Sequence, residues 1–246
     1  MGVANKRSIA WAVAQKLSEA GAQVMLTYQD ERLGENVTAL AEGLENGSSC
    51  QCDLTSQEDI DRAFAEVDNK FGGLDILVHS VAFALREDLE GGFLDTKQEG
   101  FTVAHNVSVY TLVSAARAAK PLMEKRNGGS IMAMTYHGSE RVIPNYNVMG
   151  VAKASLEASI RYLAADLGES NIRVNGISPG PISTLAARAI GGFTQMLQHV
   201  REKAPLRRNT DPEEVGDTAL FLASDLSRGI TGEIIYVDGG YHIMGM

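Results

Sequence analysis

Short apolar runs alternate with amphipathic stretches along the whole chain. The runs at Gln23–Tyr28, Ser48–Asp53, Leu74–Ser80, Gly129–Met134, Arg173–Ser178 and Glu233–Val237 have strand length. Between them, apolar residues recur at helical spacing over Ser8–Ala20, Asp30–Glu42, Gln57–Phe71, Gly100–Met123, Asn147–Leu167 and Glu213–Ser224. Strand followed by helix, repeated, predicts an α/β fold: a doubly wound parallel sheet with helices on both faces. No linker or repeat interrupts it, so residues 1–246 are expected to form a single domain.

Composition narrows the function. A net charge of −9 argues against nucleic acid as a partner. No stretch approaches a membrane span, and the start lacks a basic segment followed by an apolar one, so a soluble, cytoplasmic protein that makes no use of a membrane is expected. Cys50 and Cys52 sit two apart on an expected strand and read as buried thiols, and the five histidines have no ligand spacing, so no metal is expected.

The candidate chemistry lies in YHGSERVIPNYNVMGVAK, Tyr136 to Lys153. Past Pro144 the residues favour a helix, which puts Tyr146 and Lys153 on it together. Seven residues of helix leave the two side chains about 20° apart in azimuth and roughly 10 Å apart along the axis. An ammonium facing a phenol is expected to lower the phenol's pKa and to make it a better donor to a developing oxyanion.

This constellation resembles the short-chain dehydrogenase/reductase superfamily. Most members carry Tyr-x3-Lys with a serine upstream of the tyrosine, whereas position 150 here is Gly and position 133 is Ala. The Tyr-x6-Lys spacing with a second tyrosine, Tyr136, ten residues upstream is similar to the bacterial enoyl-acyl-carrier-protein reductases. The resemblance runs from Gly2 to the C-terminus and implies a Rossmann-like fold.

It also implies a set of cofactor contacts. Gly2, Ser8 and Ile9 match a loose phosphate turn, with Ser8 expected to cap the helix that follows. Gln29 meets the adenosine ribose, and the acidic residues after it favour NADH, although Arg32 keeps NADPH open. Asp53 and Leu54 fit the adenine contact, Ser80 and Val81 the nicotinamide ribose, and Ile182 and Thr184 the carboxamide and pyrophosphate. His79 reads as a satisfied strand histidine.

In the implied reaction a hydride reaches the β-carbon of a trans-2-enoyl thioester, Tyr146 donates to the thioester oxygen, and Lys153 holds the nicotinamide ribose. Tyr136 positions the thioester or gates the acyl pocket, which Ala84, Tyr146, Met149, Ala186 and Phe193 complete. Residues 185–200 are expected to form a helical lid, interrupted at Gly191-Gly192. The basic residues Arg201, Lys203, Arg207 and Arg208, with Arg188 and His199 nearby, offer a patch to the acidic acyl carrier protein. The apolar segment Gly232–Met246 is expected to be buried in a homotetramer. Two other readings stand beside this one: a superfamily enzyme acting on a carbonyl or hydroxyl, and a non-catalytic nucleotide-binding protein.

The second of these draws on the start of the chain. MGVANKRSIAWAVAQKL opens on a glycine turn running into a helix, with no apolar strand ahead of it. A dinucleotide fold has its first strand at the sheet centre, feeding that turn. Two interior edges are therefore expected to stay unpaired, with Met1 at the end of the missing strand, so that the chain folds poorly or holds NADH weakly.

Overall fold

The computed structural model describes residues 1–185, 187 and 191–245. Six strands form where the apolar runs predict them: β1 Val24–Tyr28, β2 Gly47–Gln51, β3 Ile76–His79, β4 Gly129–Met134, β5 Ile172–Pro179 and β6 Ile234–Val237. All their pairings are parallel. The helices are α1 Ile9–Glu19, α2 Glu31–Glu42, α3 Gln57–Phe71, α4 Gln98–His105, α5 Thr111–Glu124, α6 Asn147–Leu167, α7 Phe193–Lys203 and α8 Pro212–Ala223.

Alternation along β4 divides the core between the two faces of the sheet. Ile131 and Ala133 join the side chains of α3, α5 and α6, whereas Met132 and Met134 join Val13 and Leu17 of α1 and Val215, Ala219 and Leu222 of α8. All four strand residues are buried, as strands covered on both faces require.

The sheet comes in two pieces. Strands β3-β4-β5-β6 are hydrogen-bonded in that order, and β1-β2 form a separate pair. Between β1 and β3 lies a cavity of about 520 Å³, lined by Val24, Met25 and Thr27 on one side and Ile76, Leu77 and Val78 on the other. Met1 sits at its end: its amino group donates to the Val78 carbonyl at 2.9 Å, and the Ser80 N–H donates to the Met1 carbonyl at 3.2 Å.

One helix differs from expectation. The stretch 100–123 is broken by a π turn at Asn106–Tyr110 between α4 and α5. Its Val107 and Val109 are stiff at χ1 and weaken a regular helix. The turn points Ser108 at the loop after β3, where its hydroxyl accepts from the Phe83 N–H at 3.0 Å and donates to the Phe83 carbonyl at 3.2 Å.

Candidate active site

The strand ends and helix starts open on one elongated cavity of about 620 Å³. Its lining includes Gln29, Asp53 and Leu54, Gly2, Ser8 and Ile9, and Ser80, Val81, Ala84, Tyr136, Tyr146, Met149, Lys153, Ile182, Thr184 and Phe193. Ala186 lies outside the described residues, as do Arg188 and Ile190. Every other sequence-predicted site residue lines the cavity.

Tyr146 occupies the residue ahead of α6, and Lys153 follows two turns on; both are buried. Asn145 and Asn147 take left-handed φ values of 62° and 37°, a conformation asparagine tolerates. They set the sharp entry that turns the Tyr146 ring inward. It meets the Tyr136 ring edge-on, with centroids 5.1 Å apart. The Lys153 ammonium donates to the Met134 carbonyl at 2.8 Å.

The electrostatics differ from the sequence expectation. Burial pushes the Tyr146 phenol above its ordinary range, with Tyr136 and Glu157 adding to the shift. Lys153 is not among the causes of that shift. Burial lowers the Lys153 pKa to about 8, against the opposing pull of Glu157. Burial also raises Tyr136, whose hydroxyl donates to the Met196 sulfur at 3.4 Å.

The Gly150 position explains why the lysine stands seven residues after the tyrosine. A Cβ there would lie 2.8 Å from the Gly138 carbonyl oxygen, so a side chain one turn after Tyr146 meets backbone. Ala133 is fully buried within β4. A lysine one turn after Tyr146 is thus excluded by backbone, and the upstream position holds alanine rather than serine.

The other half of the cavity fits a dinucleotide. Gly2 has φ 97°, and a Cβ would lie 2.1 Å from the Ser80 carbonyl oxygen, so only glycine lets the turn lie against β3. Ser8 sits at the start of α1 but does not cap it. Its hydroxyl accepts from the Ala4 and Asn5 N–H groups at 3.1 and 3.2 Å, closing the preceding turn instead. The first turn of α1 therefore carries neither a side-chain cap nor an acidic residue, whereas α2 and α8 are capped by Asp30 and Asp211. An uncapped helix start opening on a cavity suits an anion such as pyrophosphate.

At the adenosine end, the Gln29 amide donates to Asp53 at 3.4 Å. Arg32, the cation that would suit a 2′-phosphate, is paired with Asp30 at 2.6 Å. His79 is buried, bonded to the Thr111 hydroxyl at 2.8 Å through Nε2, and held near pKa 3 by desolvation. Cys50 and Cys52 are free and buried, with thiols pushed up to about 12 and about 11.

Of the expected lid, the described helix runs Phe193–Lys203, and it starts after Gly192, whose left-handed φ of 78° falls at the interruption expected at Gly191-Gly192. It is tied to the site by Met196 on Tyr136 and by the Asn145 amide, which donates to the Gly191 carbonyl at 2.9 Å. Two contributors were not found from sequence: Ser108, hidden behind the π turn, and Glu157, buried beside Lys153. The only sequence signal for Glu157 is a carboxylate on the apolar face of a helix, one turn after the candidate lysine.

Comparison with known proteins gives a consistent set. The sequence model of the family described as enoyl-(acyl carrier protein) reductase matches residues 2–242. The chain is 54% identical over 245 residues to the enoyl-[acyl-carrier-protein] reductase [NADH] FabI of Bacillus subtilis, covering 99% of this chain and 94% of that protein. The Bacillus cereus enoyl-acyl carrier protein reductase, solved with NADP+ and indole naphthyridinone, superposes with a TM-score of 0.97 at 53% identity, covering 100% of this chain and 96% of that one. The Anaplasma phagocytophilum reductase in complex with NAD gives a TM-score of 0.95 at 46% identity, covering 100% and 93%.

Proposed function

The chain belongs to the enoyl-(acyl carrier protein) reductase family, and from that premise we propose that Tyr146, Lys153 and Tyr136 carry its reaction. It is an oxidoreductase of fatty acid synthesis that reduces the trans-2 double bond of enoyl thioesters with NADH. The cofactor supplies the hydride for the β-carbon.

Tyr146 donates to the thioester oxygen as negative charge gathers there. Its phenol is neutral over the working range and is held in a dry wall of Leu89 and Met149, where a hydrogen bond to an oxyanion is strong. Lys153 holds the ribose hydroxyls and adds its positive charge to the site; it must leave or share the Met134 carbonyl to do so. Tyr136 positions the thioester and links it to Met196 of α7, so residues 185–200 with α7 act as a lid over the acyl chain. Gly2, Ser8 and Ile9 hold the pyrophosphate, Gln29, Asp53 and Leu54 the adenosine, Ser80, Val81, Ile182 and Thr184 the nicotinamide end, and Ala84, Met149, Ala186 and Phe193 the acyl chain. With Arg32 tied to Asp30, NADH is favoured over NADPH.

The carrier protein is placed at the basic residues beyond the lid. Arg201 and Lys203 in the last turn of α7 are exposed, whereas Arg208 is paired with Glu214 and Arg207 donates to the Glu202 carbonyl. A homotetramer is supported by β6, which ends the sheet half-exposed, and by Ile243 at 69% exposure. Among the described residues no helix is long and apolar enough to cross a membrane, and two buried free thiols accord with the cytoplasm.

The observation that carries this reading is the pair Tyr146 and Lys153 two turns apart at one cavity, with the one-turn position closed at Gly150. Turnover of crotonyl thioester but not acetoacetyl thioester, followed by loss of NADH absorbance, is the expected result. Turnover of the ketone alone would assign a carbonyl reductase instead.

A further inference from the structure

A second buried ionisable group stands one turn beyond Lys153. Glu157 is 6% exposed, and its Oε1 accepts from the Thr135 hydroxyl at 2.6 Å. Lys153 donates to the carbonyl of the preceding residue, Met134, and the following one, Tyr136, packs its ring against Tyr146. The start and first turns of α6 thus grip the end of β4 at three successive residues. A carboxylate at this depth carries a large desolvation cost unless it is paired or hydrogen-bonded. The threonine hydroxyl alone does not call for a charge, since an amide oxygen would accept from it equally well.

We propose that Glu157 is a positioning residue of this site: its carboxylate sustains the charge of Lys153 and, through Thr135, fixes the strand end that carries Tyr136. The proposal rests on the assignment of Lys153 to the cofactor ribose. Burial works against the Lys153 ammonium, and Glu157 is the group that opposes it. Glu140 and Asp238 act on Tyr136 and Tyr236 rather than on Lys153, and the groups nearest Lys153 are uncharged near neutrality. His79 of β3 is held near pKa 3, while Tyr136, Tyr146 and Tyr236 of β6 are all pushed up by burial. An ammonium held at about 8 is on the edge of losing its charge in the working range, so the carboxylate one helical turn away sets over what pH span the ribose is held.

The test is the NADH dissociation constant, by fluorescence titration across pH, for the wild type, Glu157→Gln and Glu157→Asp. In the wild type, affinity falls as pH rises through about 8, because the ammonium deprotonates. The Gln variant keeps an acceptor for Thr135 and removes the charge, so the fall moves about one pH unit lower. The Asp variant keeps the charge but draws it back, so the fall moves in the same direction by less. A Gln variant whose fall stays at the wild-type position overturns the proposal, whatever happens to its turnover, since packing alone would then explain Glu157. Should circular dichroism show the Gln variant unfolded, the Asp variant decides, and an unmoved fall there has the same consequence. Wild-type turnover of crotonyl thioester is measured alongside: its absence counts against the reductase reading, while a moved fall in NADH affinity still upholds the coupling of Glu157 to Lys153.

Discussion

The four-stranded and two-stranded parts of the sheet are built from the same elements and differ in what lies beside them. Strands β4 and β5 are paired on both edges and covered on both faces, and every candidate group for the chemistry sits on or against them. Strands β1 and β2 are paired only with each other; β1 faces the 520 Å³ cavity, and the loops after the two strands carry Gln29 and Asp53, the proposed adenosine contacts. The difference separates two tasks. We assign the chemistry to groups on the four-stranded part and the hold on the far end of the cofactor to the two-stranded part.

Lys153 is the one residue assigned to both tasks, and its loss has the largest effect. Lys153→Ala is expected to reduce turnover by more than about 100-fold, as for loss of an oxyanion-side group. It should also weaken NADH by about 10- to 100-fold, the worth of a charge-assisted hydrogen bond. Steady-state kinetics and fluorescence titration check the two separately. Unchanged NADH affinity would remove Lys153 from the ribose.

The smallest effect belongs to Tyr136. Its hydroxyl reaches only the Met196 sulfur, a weak acceptor, so Tyr136→Phe should change turnover by about threefold or less. A hundredfold loss would make Tyr136 a direct donor to the substrate.

Much of this was legible in the sequence, for reasons that differ from residue to residue. The strands could be read because a continuous apolar run, whose successive residues face opposite sides, needs cover from both helical layers, as Ile131 and Met132 have. The Tyr146–Lys153 pair was legible because helical geometry converts a spacing into a shared face. Other features depend on tertiary contacts that local patterns do not encode. The π turn at Ser108 answers to Phe83, some 25 residues away. The phenol pKa is set by burial rather than by the nearest cation, and Ser8, a helix-cap residue by type, turns back to Ala4 and Asn5.

The division of labour meets its most direct test at Tyr146, with one sample of Tyr146→Phe measured for both NADH affinity and crotonyl thioester turnover. Removing the hydroxyl leaves the ring against Tyr136 and Met149 and takes away only the donor. The account predicts an NADH dissociation constant within about twofold of wild type and turnover lower by about 100- to 1,000-fold. Turnover near the wild-type rate would contradict it, because the oxyanion would then be held by some other group.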